Sequence, residues 1–102
     1  MVHLVQIFLP THINDQQSAL AIDREVKLLA DEFGGATAFV NSPASGMWRD
    51  DDRHRQKDVV ILIEVMSTTW DAIWWSAHKR DLELIFDQEK ILIRRAACEV
   101  LE

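Results

Sequence analysis

The order of its apolar segments narrows the folds open to this chain more than any other feature. A strand-like run, Val2 to Leu9, precedes a helix-like segment, Gln16 to Phe33. Two more strand-like runs follow, Ala36 to Asn41 and Val59 to Met66, then a helix-like Trp70 to Phe86 and a last strand, Ile91 to Val100. A β-α-β-β-α-β order is that of the split βαβ, or ferredoxin-like, α+β fold. Such a fold has one antiparallel four-stranded sheet and two helices on one of its faces. The long connection between the second and third strands predicts an extended hairpin.

The first and third strands are apolar on both faces. His3, Val5, Ile7 and Leu9 alternate with Leu4, Gln6 and Phe8; Val59, Ile61, Ile63 and Val65 alternate with Val60, Leu62, Glu64 and Met66. This is the pattern of central strands covered on two sides. Two helices cover one face only. The second apolar face therefore needs a cover that one chain does not supply.

Ala19, Ile22, Val26, Leu29, Ala30 and Phe33 form an amphipathic stripe on the first helix, with Asn14 or Asp15 as its cap and Gly34 just past its end. In the second helix, Trp70, Ile73, Trp74, Ala77, Leu84 and Ile85 fall in one arc, and His78 and Asp81 lie within it. Trp75, Leu82 and Phe86 extend one flank. Any of Ser67, Thr68 and Thr69 is suited to start this helix.

Length and composition exclude several classes of function. With 102 residues, 48% of them hydrophobic, residues 1–102 make one domain with one core. A formal net charge of −6 argues against a nucleic-acid partner, which requires clustered Lys and Arg. No run approaches the roughly 18 apolar residues of a membrane span. No secretory signal is visible, and the single Cys98 forms no internal disulfide. These features predict a cytoplasmic protein that binds neither nucleic acid nor membrane.

Candidates for chemistry are few. His78 and Asp81, three apart on a helix, can make a carboxylate-oriented general base, or simply a solvated pair at the rim. Glu64 and Gln6 interrupt the apolar second face; they predict either a polar contact to a ligand or a hydrogen bond across a dimer interface. Trp48, beside Arg49 in the 42–57 connection, either closes over a pocket, packs on a partner chain or anchors the connection to its own domain. Asp50 to Asp52 lack calcium-loop spacing, the four histidines lack zinc-site spacing, and Gly34-Gly35 is no phosphate loop. No metal and no cofactor is expected.

Gly46-Met47-Trp48-Arg49-Asp50, the strand Val59 to Val65, and the step Phe86-Asp87-Gln88-Glu89 together carry a resemblance. They resemble an uncharacterised family of small bacterial ferredoxin-like α+β proteins. That family has a Gly-x-Trp hairpin before strand three and a Phe-x-Gln-Glu step before strand four. The resemblance implies the fold and draws attention to Trp48, Gln88 and Glu89, but implies no activity. A looser similarity, of fold alone, is to dimeric α/β-barrel proteins that act on small organic molecules without a cofactor.

Two functions are expected from these features. One is a homodimeric or higher homo-oligomeric binding module that uses the open apolar sheet face, with Gln6, Phe8, Trp48, Arg49, Leu62, Met66 and Trp75 lining the interface or ligand site. The alternative is a small cofactor-free enzyme of the dimeric-barrel kind acting on a small organic ligand, with His78, Asp81 or Glu64 as its catalytic groups.

Overall fold

The structure is a computed structural model that describes the backbone of residues 2–11, 16–49 and 55–101, and the side chains of residues 2–10, 16–39 and 60–101. Its elements follow the expected order: β1 (Val2–Thr11), α1 (Gln16–Phe33), β2 (Thr37–Arg49), β3 (Arg55–Ser67), α2 (Ala72–Ile85) and β4 (Leu92–Cys98). The four strands form one antiparallel sheet in the order β2-β3-β1-β4. The chain has the ferredoxin-like α+β fold.

The core lies between this sheet and the two helices. Val5, Ile7 and Leu9 of β1 and Ile61, Ile63 and Val65 of β3 turn inward and are sealed from solvent. Ile22 and Leu29 of α1, Trp75 and Leu82 of α2, and Ile91 complete the cluster. Alternation thus places one full set of apolar side chains under the helices. The other set, on the opposite face of the same strands, is left without a helical cover.

Several boundaries differ from expectation. β2 continues past Asn41 to Arg49 because it pairs with β3 as the long arm of a hairpin. The ladder is interrupted on the way: Phe39 pairs with Leu62 and Ala44 with Val60, so five steps on β2 match two on β3. Pro43, which has no N–H to give to a ladder, falls inside this interruption. Residues 50–54, which include the acidic stretch Asp50 to Asp52, lie outside the described residues, as do the expected caps Asn14 and Asp15.

α2 starts later than Ser67 to Thr69. Its N-cap is Asp71, whose Oδ1 accepts the N–H groups of Ile73 and Trp74, both at 3.1 Å. Ser67 is engaged instead in a local turn, donating its hydroxyl to Thr69 O (2.7 Å) and accepting the Thr69 N–H (3.2 Å).

The core side of α2 is also rotated from the expected arc. Trp75, His78 and Leu82 are buried, whereas Ile73 and Leu84 are more than 80% exposed (84% and 81%). The flank formed by Trp75 and Leu82 is the packing face. The broad distribution of apolar residues around this helix hides its phase.

Both helices close with a left-handed residue. Gly34 has φ +84°, and its N–H bonds to Ala30 O at 2.8 Å. After α2 the left-handed position is filled by Asp87, φ 50°, and the Gln88 N–H returns to Glu83 O at 2.9 Å. The Phe86-Asp87-Gln88 step is therefore a helix-terminating device. Gln88 also donates its side-chain amide to Phe86 O at 3.3 Å. Glu83 ties the end of α2 to the start of the last strand by accepting the Ile91 N–H at 3.2 Å.

Candidate functional site

Three neighbouring cross-strand rows on the face of the sheet turned away from the helices are fixed by register. The first is Leu92, Phe8, Leu62 and Phe39, from β4 through β1 and β3 to β2. The second, two residues along, is Arg94, Gln6, Glu64 and Thr37. The third is Ala96, Leu4 and Met66. A polar row is thus held between two apolar ones.

The polar row is hydrogen-bonded from β4 through β1 to β3. Arg94 donates from Nε to Gln6 Oε1 at 2.6 Å, and Gln6 donates from Nε2 to Glu64 Oε2 at 2.7 Å. The glutamine amide, with an acceptor at one end and donors at the other, matches the cation to the carboxylate across three strands. The Arg94 guanidinium also lies over the Phe8 ring, 4.9 Å from its centroid. This arrangement links the two charged groups through the Gln6 amide amid apolar neighbours.

The apolar rows are open to solvent in a single chain. Met66 is 53%, Leu92 51% and Phe39 41% exposed, while Leu4, Phe8 and Leu62 are half-buried. Of the residues singled out in the sequence, Gln6, Phe8, Leu62, Glu64 and Met66 are brought together on this one face. Arg94, Leu92 and Phe39 join them and were missed. For Leu92 and Arg94 the signal was the alternation of the last strand, which lies beside the first; for Phe39 it was the alternation of the second. The side chains of Trp48 and Arg49 lie outside the described residues.

His78 belongs to a different place. Its Nε2 lies 2.8 and 2.9 Å from the two carboxylate oxygens of Glu25 on α1, and both residues are buried between helices and sheet. Asp81, the partner expected from helical spacing, is exposed. Glu25 is three residues after Ile22 and four before Leu29, so it falls in the buried stripe of α1; that spacing was its signal. Trp74 stacks on the imidazole with ring centroids 4.7 Å apart, and Trp75 meets it edge-on at 6.0 Å.

Trp75 is a core residue and does not line the open face. It is sandwiched between Phe33 (5.3 Å, planes 12° apart) and Trp70 (5.8 Å, 12°). Its indole Nε1 is buried without a hydrogen-bond partner among the described residues. Arg95 covers the outer side of Trp70 at 4.9 Å and contacts His3 Nδ1 at 3.3 Å. The aromatic cluster thus borders His78 through Trp74 and Trp75.

Lys79 donates to Glu83 at 2.6 Å, and this bond holds the Glu83 carboxyl below its ordinary value of 4.5, assisted by the Ile91 N–H and opposed by desolvation. Among the described residues no three His, Cys, Asp or Glu side chains gather as a metal site. No helix among them is long and apolar enough to cross a membrane.

No family model and no curated protein matches the sequence. Among solved structures, the chain is similar to a phage SAM lyase in complex with S-methyl-5'-thioadenosine, with a TM-score of 0.65 at 10% identity. The match covers 93% of this chain and 80% of that one. At that identity the likeness is one of fold.

Proposed function

We propose that the chain is a cytoplasmic homo-oligomeric binding module whose open sheet face is covered by another copy of itself. One observation supports this: Arg94, Gln6 and Glu64 are joined into a hydrogen-bonded ladder in the middle of an otherwise apolar face, with both charged ends keeping groups for further partners. A lone carboxylate on such a face opposes any dry cover, whereas a hydrogen-bonded ladder allows one. The half-exposed residues around it are those whose burial drives association, at about 25 cal/mol per Å² of apolar surface removed from water.

The size of the face is adequate. Four strands at about 4.8 Å spacing, over roughly 25 Å of length, present on the order of 500 Å² of flat area per copy. Two copies reach the approximately 1,000 Å² that a specific interface requires.

The test is the molecular mass in solution of the wild type, Leu92→Lys and Met66→Lys. Both positions are exposed in the single chain, so neither lysine disturbs the core. Dimers of the wild type and monomers of the folded variants support the proposal. Variants that remain dimeric place the interface elsewhere.

The buried Glu25–His78 pair favours a cofactor-free enzyme instead, because a carboxylate that fixes an imidazole is the arrangement used to orient a general base. The enclosing Trp74 and Trp75 count against it. S-methyl-5'-thioadenosine, the ligand of the structurally similar phage protein, serves as a first small-molecule probe. Its binding to the wild type with loss in His78→Asn would move the balance to the enzyme.

A further inference from the structure

The polar row has a direction, and the direction determines how a second copy can sit. The order β3-β1-β4 places Glu64 on one side of Gln6 and Arg94 on the other, each one strand away. Two identical sheet faces pack through a twofold axis lying between them, and every contact then occurs twice. An axis perpendicular to the strands sets Arg94 against the partner's Arg94 and Glu64 against the partner's Glu64. An axis parallel to β1 exchanges the β3 side with the β4 side and sets each cation against an anion.

We infer that the second copy docks with its twofold axis parallel to β1 above Gln6, so that Arg94 of each chain pairs with the partner's Glu64. This rests on the homo-oligomer proposed above and specifies its geometry. The groups needed remain available. Arg94 is exposed, and among the described residues its guanidinium uses Nε for Gln6 and has no described acceptor for its terminal amino groups. Glu64 accepts from Gln6 through Oε2, which leaves further lone pairs on the carboxylate. Stacked sheets lie about 10 Å apart, a gap that an arginine and a glutamate extended toward each other can span.

The two ladders then close head to tail. Arg94 donates to Gln6, Gln6 to Glu64, and Glu64 accepts from the partner's Arg94, whose own ladder returns to the first chain. The flanking apolar rows agree with the same axis. Leu92 faces the partner's Leu62, and small Ala96 faces the partner's long Met66. Aligned packing of the two sheets keeps these rows opposed despite sheet twist.

The test is a charge-exchange experiment on the full chain by sedimentation, with folding followed by circular dichroism. Arg94→Glu sets an acid against the partner's Glu64, and Glu64→Arg sets a cation against the partner's Arg94. Each variant alone is expected to lose about 100-fold or more in dimer affinity, because like charges are juxtaposed twice. Mixed one to one, the two variants are expected to form a heterodimer within about tenfold of wild-type affinity, since both cross-interface pairs are then opposite in sign.

A dimeric wild type whose variants show no recovery on mixing overturns the axis but not the oligomer. A monomeric wild type overturns both. If a single variant fails to fold, the double variant R94E/E64R, with the ladder reversed, gives the same answer. It is expected to dimerise with itself and to refuse the wild type, because mixed pairs set like charges together. Free exchange of subunits between them contradicts the inference.

Discussion

His78 Nε2 lies within 2.9 Å of both carboxylate oxygens of Glu25, joining the two helices across the core through one imidazole. The pair is reached from residues 53 positions apart in sequence, so it forms only when α1 and α2 are both docked on the sheet. It is a polar clasp inside an apolar interior. His78 Nε2 meets both Glu25 carboxylate oxygens, Trp74 stacks on the imidazole and Trp75 meets it edge-on.

Removal of one member leaves the other buried without its partner. Glu25→Ala and His78→Ala are each expected to cost about 3–5 kcal/mol in chemical denaturation. The double variant Glu25→Leu/His78→Leu is expected to recover much of that loss, because an apolar pair fills the site without an orphaned polar group. Equal losses that simply add would show that the two residues act independently.

The rotated face of α2 makes a sharper contrast. Leu82 is 1% exposed and belongs to the core, whereas Leu84, two residues on, stands in solvent. Leu82→Ala is expected to cost about 2–5 kcal/mol, and Leu84→Ala less than about 0.5 kcal/mol. Thermal unfolding of the two variants side by side decides it. A large effect at Leu84 would place that residue under another chain or reverse the helix phase.

Glu83 gives a pH dependence with a definite sign. Its folded carboxyl titrates below the ordinary value of 4.5, mainly because Lys79 donates to it. The unfolded state therefore takes up the proton first as pH falls. The contribution of Glu83 is present above about 4.5 and is lost as pH drops through the lower, folded value. Glu83→Gln is expected to flatten this part of the acid-denaturation curve. An unchanged slope below pH 4.5 would rule out the Lys79–Glu83 bond as its cause.

The element order, the central strands and the polar break on the open face were legible in the sequence because they rest on period-two alternation, which is a local property. Gln6 and Glu64 stood out as polar residues in apolar strands and do bond to each other. Arg94 did not, because one arginine in an exposed edge strand looks ordinary until that strand is aligned with β1. Glu25 was hidden for the opposite reason. A glutamate on a helix rich in charge reads as solvated; its spacing from Ile22 and Leu29 marks it as buried, but the histidine it meets comes only with the docking of α2. The phase of α2 was lost because apolar residues surround that helix almost completely, leaving the hydrophobic pattern without a clear polar side.

The proposed cover of the open sheet face by a second copy of the chain is read out directly as mass. Native mass spectrometry of the purified protein at micromolar concentration tests it most directly. A mass of two or more 11.8 kDa chains, without added ligand mass, is the predicted result. A bare monomer would contradict the account, and a monomer carrying extra mass would assign the face to a small molecule instead.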